Sequence, residues 1–139
     1  MTVDPLSATM RIAASGLEAQ GTRLRVIAEN IANVDSTANV AGGDPYRRKT
    51  VSFTSSLDRS LGAETVEIRR IGRDRSDFEL VYDPAHPAAD EKGYVKRPNV
   101  STLIEMMDMR EATRSFEASM NMIEQARAMM SRTVDLLRS

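Results

Sequence analysis

Apolar residues near the start of the chain recur at alternating intervals of four and three. The series comprises Leu6, Met10, Ala13, Leu17, Gln20, Leu24, Ile27 and Ile31. Such spacing places these residues along one side of an α-helix, and Asp4 followed by Pro5 supplies an N-cap and a first helical residue. Gln20 is the polar member, either a buried residue that fixes register or a position at the water-exposed edge of the seam. The pattern predicts a long N-terminal helix.

Asn30 and Asn33 mark the predicted end of this helix. Asparagine tolerates the left-handed conformation and can bond the backbone groups that a helix terminus leaves unpaired. Both residues are therefore interpreted as helix-terminating rather than ligand-binding.

A second periodic series lies near the other end of the chain. Apolar residues recur there every seven positions, at Met109, Phe116, Ile123, Met130 and Leu137. The sequence TLIE at 102–105 has the form of a capping box that pairs Thr102 with Glu105. The pattern predicts a second long helix that begins near Thr102.

Between the two helices the apolar spacing changes to alternation. After the glycine- and proline-containing loop ANVAGGDPY, alternating runs occur around Val51 and Phe53, around Val66 and Ile68, and over 78–82, with a further short run at 94–96. Period-two runs separated by turn residues predict short strands. The predicted fold is α+β and mainly α, with the two helices paired antiparallel as a coiled coil. The expected division is an N-terminal helix segment at 1–36, a β-rich insert at 37–98 and a C-terminal helix segment at 99–139, the two helices forming one core domain.

Both helices carry more apolar surface than one partner helix can cover. A helix that is apolar on several sides is normally buried on several sides, so we expect contacts with neighbouring subunits as well as within the chain. The residues assigned to the intramolecular seam are Leu17, Leu24, Ile31, Phe116, Ile123 and Met130. Those assigned to a subunit interface are Ile12, Val26, Met122, Met129 and Leu136.

The net charge and the residue composition do not favour catalysis or nucleic-acid binding. Lysine and arginine total 19 against 20 aspartate and glutamate, there is no cysteine, and His86 is the one histidine. His86 is interpreted as a surface residue of a loop, and the basic runs at 46–49 and 68–75 as the water-facing sides of strands. We therefore predict no catalytic residues, no metal, no cofactor, no nucleic-acid partner and no membrane span.

Two parts of the chain resemble bacterial flagellar rod and hook proteins. The first comprises AASGLEAQGTRLRVIAENIAN at 13–33 and YRRKTVSF at 46–53, and the second is the stretch at 80–130 that contains DPAHPAADEKGYVKRPNV. The chain departs from the family pattern in NVDSTANVAGGDP and in RSFEAS at 114–119. The resemblance carries over a signature of Ser15, Gly16, Leu17, Ala19, Gln20, Leu24, Ala28, Asn30, Ile31, Ala32, Asn33, Tyr46, Arg47, Arg48 and Phe53.

The resemblance implies a structural subunit of the proximal rod in the flagellar basal body, which transmits torque and surrounds an export channel. Implied partners are further copies of the chain, the rod proteins FlgB, FlgF and FlgG, the adaptor FliE that joins the rod to the MS ring, and the flagellar type III export apparatus. The implied location is the rod as it crosses the periplasm, reached without a cleaved signal peptide. A different class of protein, a helical-hairpin adaptor or secretion chaperone that docks amphipathic peptides, is the alternative.

Overall fold

The computed structural model describes residues 3–139, and two long helices enclose four strands in chain order. Helix α1 spans Pro5–Ala32 and helix α2 spans Thr102–Arg138. Strands β1 at Lys49–Asp58 and β2 at Ala63–Arg73 form one two-stranded sheet, and strands β3 at Glu79–Tyr82 and β4 at Tyr94–Arg97 form another. The predicted α+β class is confirmed. None of the described helices combines the length and apolar character that a membrane crossing requires.

The chain divides into two compact units, and each contains portions of both long helices. Among the described residues, unit 1 comprises 3–24, 52–70 and 110–139, and unit 2 comprises 25–51 and 71–109. The three-segment division made from the sequence stays a prediction.

In unit 1 the first part of α1 runs antiparallel to the later part of α2. A Cβ atom on Gly16 would lie 3.2 Å from the Ser119 hydroxyl, and one on Gly21 would lie 3.8 Å from the Phe116 ring. The side chains buried here are the small ones of Ala13, Ala19, Ala112 and Ala126. Small residues allow the two helices to approach closely, and whether they also supercoil as a coiled coil stays a prediction.

The start of α1 follows directly from its first residues. The Ser7 amide donates to the Asp4 carboxylate at 3.1 Å, and the Ala8 amide donates to the Asp4 carbonyl at 3.0 Å. Asp4 is therefore the N-cap, and Pro5 occupies the first helical position, where the amide hydrogen that proline lacks would have no helical partner. This prediction is confirmed.

In unit 2 strands β3 and β4 pair antiparallel, with Leu80 opposite Lys96, Val81 opposite Val95, and Tyr82 opposite Tyr94. Val95 is buried, whereas Leu80, Tyr82 and Tyr94 on the other side of the sheet are exposed. Alternate residues of a strand point to opposite faces, so one face of this small sheet packs on unit 2 and the other faces water.

The predicted capping box is wrong. Helix α2 does begin at Thr102, and the Glu105 amide bonds the Ser101 carbonyl at 3.0 Å. The Glu105 carboxylate, however, accepts hydrogen bonds from Arg48 and Asn30 rather than returning to the first turn of its own helix. The half-buried Arg48 guanidinium is the stronger partner for these oxygens, because it adds the attraction of a full opposite charge, which a local backbone amide lacks.

Candidate functional site

Asn30 lies at the centre of a buried polar cluster in unit 2. Its side chain is 1% exposed. The carboxamide nitrogen donates to the Lys49 carbonyl at 2.9 Å and to Glu105 at 3.2 Å, and the oxygen accepts from the Lys49 amide at 2.9 Å and the Tyr46 hydroxyl at 2.8 Å. An asparagine side chain has two donors and one acceptor oxygen with two lone pairs, so every bonding position is used.

This geometry corrects the interpretation of Asn30 and confirms that of Asn33. Asn30 pairs with both backbone groups of Lys49, as a neighbouring strand would, and so anchors the beginning of β1. Asn33 does act at the helix end, because its side-chain nitrogen donates to the Glu29 carbonyl at 2.8 Å and its oxygen accepts from Ser36 at 3.0 Å. Two asparagines three residues apart therefore have different roles.

Arg48 extends the cluster by contacting carboxylates from three positions in the chain. Its guanidinium bonds the fully buried Glu105 and lies 3.5 Å from Asp108 and 3.7 Å from Asp74. The Arg48 amide donates to Asn99 at 2.8 Å. A buried carboxylate is costly unless it is paired and hydrogen-bonded, and Arg48 with Asn30 meets that requirement for Glu105.

The periphery of the cluster is also charged. Lys49 bonds Glu29 at 2.6 Å, and this hydrogen bond lowers the pKa of the Glu29 carboxyl. Hydrogen bonds from the backbone and side chain of Ser76, followed by the charge of Arg48, lower the pKa of Asp74. Burial raises the pKa of the Tyr46 hydroxyl. The bonded form of each group is thus the form present at neutral pH.

Arg47 secures the neighbouring loop. Its guanidinium donates to the carbonyls of Asp74 and Ser76 at 2.8 and 2.9 Å and lies 4.1 Å from the centre of the Phe78 ring. The interpretation of the basic run at 46–49 as a water-facing strand side is therefore wrong for Arg47 and Arg48, whose donors bind protein oxygens.

The remaining signature residues are distributed along α1 and β1. In unit 1 the Ser15 hydroxyl accepts from the Val66 amide at 3.2 Å, Gly16 approaches Ser119, Ala19 is buried, and the Gln20 side-chain oxygen is buried without a hydrogen-bond partner. Gln20 thus has a buried polar atom rather than an open seam edge. The other positions are half-buried or exposed: Leu17, Leu24 and Ile31 are half-buried, and Ala28, Ala32 and Phe53 are exposed.

The residues assigned to helix contacts separate into three groups. Phe116 and Ile123 are half-buried, as are Leu17, Leu24, Ile31 and Ile12, whereas Met130, Met122, Met129 and Leu136 are exposed. Met122 and Met129 line a groove with Leu6, Thr9, Gln125 and Ala126. Val26, which belongs to unit 2, is 3% exposed. Its assignment to a subunit interface is therefore corrected, because its surface is already covered by its own chain.

The polar cluster has no catalytic or metal-binding arrangement. Its carboxylates are bonded to arginine, lysine, serine or asparagine, and within residues 3–139 no group of three or more His, Cys, Asp and Glu side chains could hold a metal ion. His86 lies in the loop after β3, where its Nδ1 accepts from the Ala88 amide at 3.0 Å. The cluster joins the end of α1 to the start of α2, and so has a structural role.

Sequence reasoning missed Asn99 and Asp74, and it assigned Glu105 to a capping box rather than to this cluster. The apolar run around Glu105 did not indicate its burial, since Leu103, Ile104, Met106 and Met107 are exposed. The partner of Glu105, Asn30, is 75 positions away in the chain.

Comparison with known proteins identifies the family to which this chain belongs. Residues 10–39 match the family model described as flagella basal body rod protein, and residues 91–136 match the model described as flagellar basal body rod FlgEFG protein C-terminal. The chain belongs to the flagellar basal-body rod protein family. It is a structural subunit and not an enzyme.

Individual relatives narrow the family assignment to one kind of rod protein. A flagellar basal-body rod protein FlgC of Agrobacterium fabrum is 56% identical over 99% of both chains. FlgC proteins of Bacillus subtilis and Salmonella typhimurium are 37% and 39% identical, covering 92% and 90% of this chain and 95% and 92% of their own lengths. The resemblance noted from the sequence is thus confirmed, at the level of a FlgC-like rod protein.

Proposed function

We propose that this chain builds the proximal rod of the flagellar basal body by packing the exposed apolar surface of α2 against neighbouring subunits. The exposure of that surface is the observation on which the proposal rests. In unit 1, Leu136 and Leu137 are 77% and 83% exposed, and Met122, Met129 and Val134 are about half exposed. Burying side chains of this size contributes about 1.5 to 3 kcal/mol each, so several together can offset the cost of association, estimated at roughly 4–15 kcal/mol.

The proposed partners are other copies of the chain, the rod proteins FlgB, FlgF and FlgG, and the adaptor FliE. The family of the relatives supports assembly within the rod, and the apolar α2 surface supports contact through helices. We further propose that the assembled rod crosses the periplasm, transmits torque and surrounds the export channel, and that the subunit reaches it through the type III export apparatus without a cleaved signal peptide. Met122, Met129 and Leu136 are the proposed interface residues, together with Ile12.

A Leu136→Asp variant tests this proposal. Placing a charge in the interface should prevent incorporation into the rod, and cells that lack the natural gene should regain neither motility nor rod-containing basal bodies when they express it. The matched control is Ser131→Asp, which introduces the same charge at an exposed polar position of the same helix. Circular dichroism of both purified variants establishes that each folds. A folded Leu136→Asp chain that restores wild-type motility would contradict the proposal.

The alternative, an adaptor or chaperone, predicts a different result. Such a protein would form a reversible heterodimer with a client and be absent from isolated basal bodies. Recovery of the chain in basal bodies purified after removal of the cytoplasm supports the rod subunit over this alternative.

A further inference from the structure

The turn between β3 and β4 contains the one histidine of the chain, which the polar cluster does not use. The Asp83 amide donates to the Gly93 carbonyl at 2.9 Å and so closes residues 83–93. Within this turn the His86 amide donates to the Asp83 carbonyl at 3.1 Å, and the His86 carbonyl accepts from the Ala89 amide at 3.0 Å. His86 is half-buried and lies in a segment that local hydrogen bonds hold in one conformation.

Ala88 links this turn to a second loop of unit 2, the one between α1 and β1. It is 2% exposed. Its amide donates to Nδ1 of His86 at 3.0 Å, and its carbonyl accepts from the Gly42 amide at 3.1 Å. Both backbone groups of this buried residue are therefore bonded, one by the His86 ring and the other by the second loop.

The bond from the Ala88 amide requires a neutral His86 ring. A neutral imidazole has one nitrogen that donates and one that accepts, whereas both nitrogens of the protonated ring are donors. Because Nδ1 accepts here, the proton of the neutral ring is on Nε2. A second proton would occupy the lone pair of Nδ1, and two N–H groups would then face each other. Protonation of His86 therefore breaks this bond.

The charged groups around the turn do not oppose that protonation. On the turn, on the adjoining loop and on strand β4 they are Asp83, Asp90, Glu91, Lys92, Asp44 with its salt-bridge partner Lys96, and Asp35 with its partner Arg97. Carboxylates outnumber cations in this set, and nearby carboxylates favour the charged form of a histidine. Among residues 3–139, His86 forms a salt bridge with none of them, so its charge is not fixed by a partner.

We propose that the His86–Ala88 contact is a pH-sensitive switch that holds the 83–93 turn against the Gly42 loop at neutral pH and releases it when the ring is protonated. A free histidine takes up its proton near about pH 6.5. The contact is thus present above this range and lost as the pH falls through it. The inference is independent of the proposed rod function, because every group it requires belongs to one chain.

The polar cluster keeps its charges over the same range. The hydrogen bond from Lys49 lowers the pKa of Glu29, and hydrogen bonds from Ser76 lower the pKa of Asp74. Both carboxylates therefore stay ionised above about pH 5. Histidine is the side chain whose ordinary titration falls between about pH 5 and 8, so the effect of pH is expected in the turn.

Amide hydrogen exchange of the folded chain, followed by NMR at about pH 7.5 and about pH 5, tests the switch. Protection factors relative to an unstructured peptide at the same pH remove the direct effect of pH on exchange. The protection factor of the Ala88 amide should fall by about fivefold at the lower pH, the effect of losing one hydrogen bond, and that of Gly42 should fall with it. The amide of Val95, a buried residue of β4, serves as the internal reference and should keep its protection.

His86→Asn is the matched control variant. The asparagine Oδ1 takes the place of Nδ1, readily accepts the amide two residues on and does not titrate, so Ala88 should be equally protected at both pH values. His86→Ala offers no acceptor, and Ala88 should be weakly protected at both. The proposal is overturned if the parent chain shows no fall at Ala88, if His86→Asn shows the same fall, or if Val95 loses protection to the same extent.

Discussion

Unit 1 and unit 2 each contain portions of both long helices, but different contacts hold them together. In unit 1 the fully buried side chains are alanines, Phe116 and Ile123 are half-buried, and the other large apolar residues of α2 are exposed. In unit 2 the most deeply buried large side chains are Asn30 and Glu105, and a network of hydrogen bonds surrounds them. An alanine contact brings helices close but buries little apolar area, whereas the network specifies one arrangement of α1, β1 and α2.

This difference indicates a division of roles. Unit 1 leaves apolar surface available for neighbouring subunits, and its packing can be completed in the assembled rod. Unit 2 also exposes apolar side chains of α2, those of Leu103, Ile104, Met106 and Met107. Its buried polar groups are nevertheless satisfied within the chain, where each one left without a partner would cost about 1–3 kcal/mol. We expect unit 2 to be ordered before assembly and unit 1 to gain most from it.

The largest expected effect comes from Arg48→Ala. Removing one partner of an ion pair costs about 3–5 kcal/mol when the other charge stays buried, and here that charge is the fully buried Glu105. Urea unfolding followed by circular dichroism should show this loss in the free energy of unfolding, and hydrogen exchange should show faster exchange in residues 25–51 and 71–109. Glu117→Ala, at an exposed position of α2, should change the free energy by less than about 0.5 kcal/mol. Equal acceleration of exchange in both units would contradict the comparison.

A smaller effect is expected from Asn30→Ala, with Asn33→Ala as the matched control. The first substitution leaves the part-buried amide and carbonyl of Lys49 without their partner, and because water can reach part-buried groups, the expected cost is about 1–3 kcal/mol in total. The second removes bonds at a half-buried helix end, where water can replace them, so its cost should be about 1 kcal/mol or less. Thermal unfolding of the two variants measures the difference. If both lower the melting temperature equally, Asn30 is a terminating residue after all.

The same two asparagines show what the sequence could and could not predict. Periodicity predicted both helices and the strands, and the residue types of Asp4 and Pro5 predicted the helix start. These features depend on residues close together in the chain. Periodicity could not distinguish the roles of Asn30 and Asn33, because the spacing of nearby residues does not identify a tertiary partner such as Glu105. For the same reason the heptad pattern placed Val26 on an outer surface, although the residue is buried within its own chain.

The smallest expected effect is an increase in stability, and it applies to unit 1. Gly21 lies within α1, where glycine is less favourable than alanine by about 0.5–1 kcal/mol. A Cβ at this position would be 3.8 Å from the Phe116 ring, an ordinary contact distance. Gly21→Ala should therefore raise the free energy of unfolding by about 0.5–1 kcal/mol.

Gly93→Ala provides the opposite case in unit 2, because φ is +84° and a Cβ would meet the Tyr82 ring at 2.9 Å. A side chain at this position requires both a strained backbone and displacement of the ring, so the variant should be less stable than the parent chain. Parallel urea titrations of the two variants measure both signs. A loss of stability in Gly21→Ala would show that the helices of unit 1 are packed too tightly for one methyl group, and that the alanine contact is as specific as the polar cluster.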